Sequence, residues 1–183
     1  MAVLSVDTSL FAAYAEARRQ FLRALGCDES CRDPFSEFAE RLVCQQLGGR
    51  LADSRVQKGY DLTTPDGRRV QVKYLANPPG AWRNEHVVSF NGETDDYALV
   101  FFEGFDVLGM VVFPRETIAA VCATLKKRHP NQENVLQLTR ANFKSIIGRV
   151  EEFERLGIRC YISGKRVVES GASPDGGPVD PAS

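Results

Sequence analysis

The chain has 183 residues and a net charge of −1, with 43% hydrophobic and 26% charged residues. That length fits one domain with a substantial core, and that balance excludes a disordered chain and a surface built wholly as a phosphate clamp. No run approaches the roughly 20 apolar residues of a bilayer span, and the opening MAVLSVDTSLFAAYAEARRQ lacks a basic stretch followed by an apolar one, so a cytoplasmic protein with no membrane partner is expected.

Residues 8 to 25, TSLFAAYAEARRQFLRAL, repeat apolar positions at intervals of three and four, which predicts an amphipathic helix. A second helix should start at Asp33 with Pro34 as its first helical residue, run through PFSEFAERLVCQQL and stop at Gly48-Gly49. Three short strands follow, RLADSR, KGYDLTT and RRVQVKYL, with Pro65-Asp66-Gly67 turning the second into the third, so a meander is expected rather than a βαβ unit. ANPPGAWRNE is too rich in Pro and Gly for a regular element and reads as a loop, and HVVSF reads as a short strand. DYALVFFEG and VLGMVVFP are nearly continuous in hydrophobicity, which predicts strands buried on both faces near the centre of the sheet. RETIAAVCATLKKRH, TRANFKSIIG and VEEFERLG have helical spacing. Residues 169–183 are rich in Gly, Pro and Ser, so a disordered tail is expected after a single domain over 1–168.

The five cysteines (Cys27, Cys31, Cys44, Cys122, Cys160) form an odd set with no CxxC pair, which indicates reduced thiols rather than a disulfide framework or a zinc ribbon. From Gly49 to His86 the basic residues Arg50, Arg55, Lys58, Arg68, Arg69, Lys73 and Arg83 outnumber the acids Asp53, Asp61, Asp66 and Glu85. The overall charge conceals this local excess.

The stretch GYDLTTPDGRRVQVKY lies inside that segment. Strand alternation sends Gln71 and Lys73 to one face and Val70, Val72 and Tyr74 to the other, and folding about the turn brings Asp61 beside them. A carboxylate and an amide oxygen aimed at one spot suit a hard cation such as Mg²⁺, and a neighbouring lysine can orient a bound water or offset phosphate charge. Taken singly, Asp61 also reads as a turn acid, Gln71 as a half-exposed strand residue and Lys73 as a solvated edge lysine.

The succession of helix, Gly-Tyr-Asp, turn and Gln-x-Lys resembles the PD-(D/E)xK nuclease superfamily over about residues 33 to 113. The resemblance implies an α/β, restriction-endonuclease-like fold, a mixed β-sheet flanked by α-helices. It implies Asp61 as central metal ligand, Gln71 as second ligand, Lys73 as catalytic lysine, an acid from the preceding helix, and Mg²⁺ or Mn²⁺ as cofactor. Gln71 departs from the commoner Glu. At about 100° per residue, Phe35, Phe38, Ala39, Leu42 and Val43 form the buried stripe of that helix, with Glu37 nearly opposite and Glu40 bordering it, so Glu40 is the candidate helix acid and metal ligand.

On this reading DNA is the partner. Arg55, Lys58, Arg68, Arg69 and Arg83 are candidate phosphate contacts, and Trp82 either stacks on a base or packs as a lid over the sheet. Arg83, Asn84 and His86 beside it have hydrogen-bonding groups suited to bases, and Lys126, Lys127, Arg128, Arg140 and Lys144 would extend the groove. A homodimer is expected, because two sites cut two strands. Three function classes stand side by side: a Mg²⁺-dependent DNA endonuclease of restriction or repair type, a catalytically inactive DNA-binding or regulatory protein on the same fold, and an interaction domain whose hairpin charges are solvated. No GxGxxG after a strand, GxxxxGK[ST], HExxH or GxSxG points to another enzyme.

Overall fold

A computed structural model describes residues 8–27, 33–53, 59–90, 92–125 and 135–162. The expected tail over 169–183, together with Cys31, Arg55, Lys58, Lys126, Lys127 and Arg128, lies outside the described residues. Helix α1 (Thr8–Ala24) is followed by α2 (Pro34–Leu47), β1 (Arg50–Leu51), β2 (Leu62–Thr63), β3 (Arg69–Asn77) and β4 (His86–Val88). Next come β5 (Asp96–Glu103), β6 (Asp106–Pro114), a 3₁₀ turn over Arg115–Thr117, α3 (Ile118–Thr124), β7 (Leu136–Leu138), α4 (Arg140–Gly148), α5 (Val150–Arg155) and β8 (Arg159–Ile162).

The boundaries of α2 follow from its caps. Asp33 accepts the Phe35 N–H at 3.1 Å with Pro34 in the first turn, and Gly48 closes the helix at φ 61°, a left-handed conformation that favours glycine. Thr139 likewise caps α4 by accepting the Asn142 N–H.

Strands β1, β2, β3, β5, β6 and β8 form one sheet in that order. All neighbours are antiparallel except β3 and β5, which are parallel, so the molecule is a mixed α/β protein with a mostly antiparallel sheet flanked by helices. The first three strands are the expected meander, and β5 is buried along nearly its whole length, as its unbroken hydrophobicity requires. β4 does not join this sheet. It pairs with β7 in a separate two-stranded ribbon. Neither β7 nor β8 is legible as a strand in the sequence, since three and four residues offer too little alternation to register.

Each face of the main sheet carries its own core. On one face Ala39 and Val43 of α2 pack on Leu62, Val70, Val72, Ala98, Val100 and Met110. On the other, Leu75, Leu99, Phe101 and Phe113 pack under α3, α4, α5 and the β4–β7 ribbon through Val121, Phe143, Ile146, Phe153 and Leu138. Each fully buried Val, Leu, Ile or Phe contributes about 1.5–3 kcal/mol relative to leaving it exposed.

Glu37 corrects the helical-wheel reading of α2. It is fully buried, because the C-terminal end of α1 covers the side of α2 opposite the sheet. Its charge is paired: Arg41 meets Glu37 Oε2 at 2.8 Å and also donates to the Leu25 carbonyl, and the Cys27 thiol donates to the same carboxylate oxygen at 3.3 Å.

Strand β8 approaches β6 so closely at Gly109 that a Cβ there would lie 2.5 Å from the Tyr161 carbonyl oxygen. Gly109→Ala is therefore expected to lower stability by about 1–3 kcal/mol, measured by urea unfolding, with hydrogen exchange rising first along β8.

Candidate functional site

Leu62 is buried on the α2 face with Val70 and Val72, so Asp61 turns to the opposite face, as do Gln71 and Lys73. The backbone fixes Asp61 between two strands: its N–H donates to the Val70 carbonyl at 2.8 Å, and its own carbonyl accepts from Ala52 at 2.9 Å. Its carboxylate oxygen Oδ2 accepts from Gln71 Nε2 at 2.5 Å and from the Val72 N–H at 2.7 Å. Asp61 and Gln71 therefore converge. Lys73 follows at the next position on the same face and is exposed.

Two further side chains complete this group. Tyr97 on β5 is the cross-strand partner of Gln71, and its hydroxyl lies 2.6 Å from His86 Nε2 on β4. Burial pushes the Tyr97 hydroxyl pKa well above its ordinary value, and the Asp61 charge pushes it the same way. Burial lowers the His86 pKa, and the nearby Lys73 ammonium adds to the effect. Asp61, Gln71, Lys73, Tyr97 and His86 thus form one polar cluster at the N-terminal half of β3 and the start of β5. The sequence reading missed Tyr97, which sits inside an apolar run; only the parallel register of β3 and β5 sets it opposite Gln71.

Glu40 does not join this group. It is buried on α2, where it accepts from Ser36 Oγ at 3.4 Å, and α2 covers the face carrying Val70 and Val72. The alternation that buries those valines turns Gln71 and Lys73 away from it. Among the described residues no three His, Cys, Asp or Glu side chains are grouped to hold a metal ion. Gln71 turns its amide N–H, not its oxygen, onto Asp61 Oδ2, which also accepts the Val72 N–H, so a cation bound here would require the amide to rotate its oxygen inward and would keep most of its waters.

The candidate DNA contacts divide. Arg68 is committed to structure: it pairs with the fully buried Asp96 at 2.6 Å and with Glu116 at 3.1 Å. Arg159 meets the same aspartate at 2.9 Å. The hydrogen bonds to Asp96 raise the Arg68 pKa further above its already high value. Arg69 is half-exposed, 3.5 Å from Asp95 and over the Tyr60 ring. Arg83 is exposed in the loop, where its N–H donates to Asn77 Oδ1. Trp82 is a packing lid, tilted against Phe143 at 5.2 Å and Phe101 at 6.5 Å. Arg140 and Lys144 line a small cleft beside it with Asn77 and Glu103.

No family model matches the chain, and no curated protein matches it.

The lowered His86 pKa has a signed consequence. Below the ordinary value of 6.5 the unfolded chain takes up a proton that the folded His86 resists, so this group's contribution to stability is lost as pH falls through that value. Between pH 7.5 and 5.5, urea unfolding is expected to show the wild type losing stability more steeply than His86→Gln. The limiting difference in slope is about 1.4 kcal/mol per pH unit for one proton.

Proposed function

We propose that the protein is a metal-dependent phosphodiester hydrolase acting on DNA, with a restriction-endonuclease-like architecture and Asp61, Gln71 and Lys73 as its working residues. The observation that carries the reading is the convergence of Asp61 and Gln71 on the face of β2 and β3 that also carries Lys73. The order of elements supports it as well: a capped helix, an antiparallel three-strand meander, then a strand parallel to the third.

Asp61 and the Gln71 amide oxygen, once the amide has rotated, would hold Mg²⁺ or Mn²⁺, with water filling the remaining positions. When bound, the ion neutralises charge on the scissile phosphate and lowers the pKa of a bound water. Lys73, exposed at the next position on that face, orients the attacking water and offsets charge on the phosphate oxygens. His86 and Tyr97 wall the site on the β4 and β5 side. Of the five candidate phosphate contacts, Arg69 and Arg83 are described and keep that role, and Arg68 is withdrawn from it by Asp96 and Glu116.

A second reading has one observation in its favour. The Gln71 Nε2–H already satisfies Asp61 Oδ2, an arrangement suited to a DNA-binding relative without hydrolysis.

Incubation of supercoiled plasmid and branched DNA with Mg²⁺ or Mn²⁺ separates the two. Nicking or cutting is expected in the wild type, with Lys73→Ala reduced by about 100-fold or more. Salt-dependent DNA retention without cleavage by the wild type would establish the second reading. Equal activity in wild type and Lys73→Ala would remove Lys73 from its role.

A further inference from the structure

The loop between β3 and β4 closes over the sheet at Trp82 and leaves a small cleft beneath it. Trp82, Leu75 of β3, Phe101 of β5, Leu108 of β6 and Phe143 of α4 give this cleft apolar walls. Arg140 and Lys144, one turn apart on α4, line it as well and are exposed. The cavity measures about 40 Å³. One water occupies roughly 10–15 Å³ of such space, so about three non-hydrogen atoms fit.

The Trp82 indole Nε1 is buried and has no hydrogen-bond partner among the described residues. A buried donor left unmet costs about 1–3 kcal/mol, so an acceptor belongs beside it. The acceptors of the cleft walls are engaged elsewhere. Asn77 Oδ1 takes the N–H groups of Arg83 and Asn84, each at 2.7 Å, and Glu103 Oε1 takes the Gly80 N–H at 3.0 Å. Among the ionisable residues lining the cleft, Arg140 and Lys144 outnumber Glu103. What it offers a guest is therefore an indole N–H and positive charge over apolar walls, the pattern of a small-molecule site with a few orienting polar groups. A planar carboxylate matches the volume and the donors, whereas a tetrahedral phosphate is too large.

We propose that the Trp82 cleft is a binding site for a small aliphatic carboxylate, with its anionic group accepting from the indole N–H and facing Lys144 and its short apolar body against Leu75 and Leu108. The site is separate from the proposed hydrolytic one, since neither Asp61, Gln71 nor Lys73 lines the cleft.

Trp82 is the only tryptophan in the chain, so its fluorescence reports this cleft directly. The test is titration of the full chain with sodium propionate at constant ionic strength, with propionamide, chloride and inorganic phosphate run alongside. Propionate is expected to give a saturable change in emission, propionamide to bind at least tenfold more weakly, and chloride and phosphate to give none. Lys144→Gln should weaken propionate binding about tenfold. Its melting temperature should stay at the wild-type value, since Lys144 is exposed, which separates lost binding from lost folding. Trp82→Phe keeps an aromatic lid and removes the donor, and saturation-transfer NMR of propionate should show binding weakened by a similar factor. No saturable response to propionate would mean that the cleft holds water alone and would overturn the proposal. So would an equal response to propionamide or phosphate, or propionate binding that both substitutions leave unchanged.

Discussion

The alternation of side chains along β3 organises the molecule, because α2 covers one face of this strand while the other sends Leu75 into the second core and leaves Lys73 exposed. Val70 and Val72 must go under α2, and once they do, Gln71 and Lys73 have only the opposite face. The same constraint operates on β2, where the burial of Leu62 turns Asp61 toward Gln71. A shift of one residue in register would send the valines outward and the polar group into the core, so core packing and site assembly are one event. The Trp82 cleft lies on the same face as the polar group at Asp61 for the same reason, since Leu75 follows Gln71 and Lys73 in the alternation.

Buried acids mark the places where elements distant in sequence are locked together. Asp96 begins the central strand and receives Arg68 from the end of the hairpin and Arg159 from the edge strand, so a single carboxylate ties β5 to both flanks of the sheet. Glu37 does the corresponding work between helices, with Arg41 and Cys27 satisfying a charge that α1 has removed from water. An unpaired carboxylate in either position would be strongly destabilising, which is why each is surrounded by donors.

The candidate site was legible in part. A polar residue at alternate positions of an otherwise apolar strand is visible in the letters of RRVQVKYL, and Pro65-Asp66-Gly67 dictates which strands meet, so Asp61, Gln71 and Lys73 follow from local rules alone. Tyr97 and His86 do not, because one hides in the apolar run of β5 and the other lies after a long loop; parallel pairing and the β4–β7 ribbon bring them in. Glu40 misled for a related reason. A helical wheel orders residues around an axis but does not say which face of the sheet that axis will cover.

Local sequence determined the elements: caps, turns and periodicity locate α1, α2, the meander, β5, β6 and α4, since each is stabilised by contacts among near neighbours, although β6 lies next to the edge strand β8 and is buried only in its second half. Tertiary structure decided their use. It buried Glu37 under α1, drew Arg68 into an ion pair with Asp96, made Trp82 a lid, and recruited the short strands β7 and β8. Those outcomes depend on groups tens of residues apart coming within a few ångströms, and the free energy that selects them is gained only when both partners leave water together.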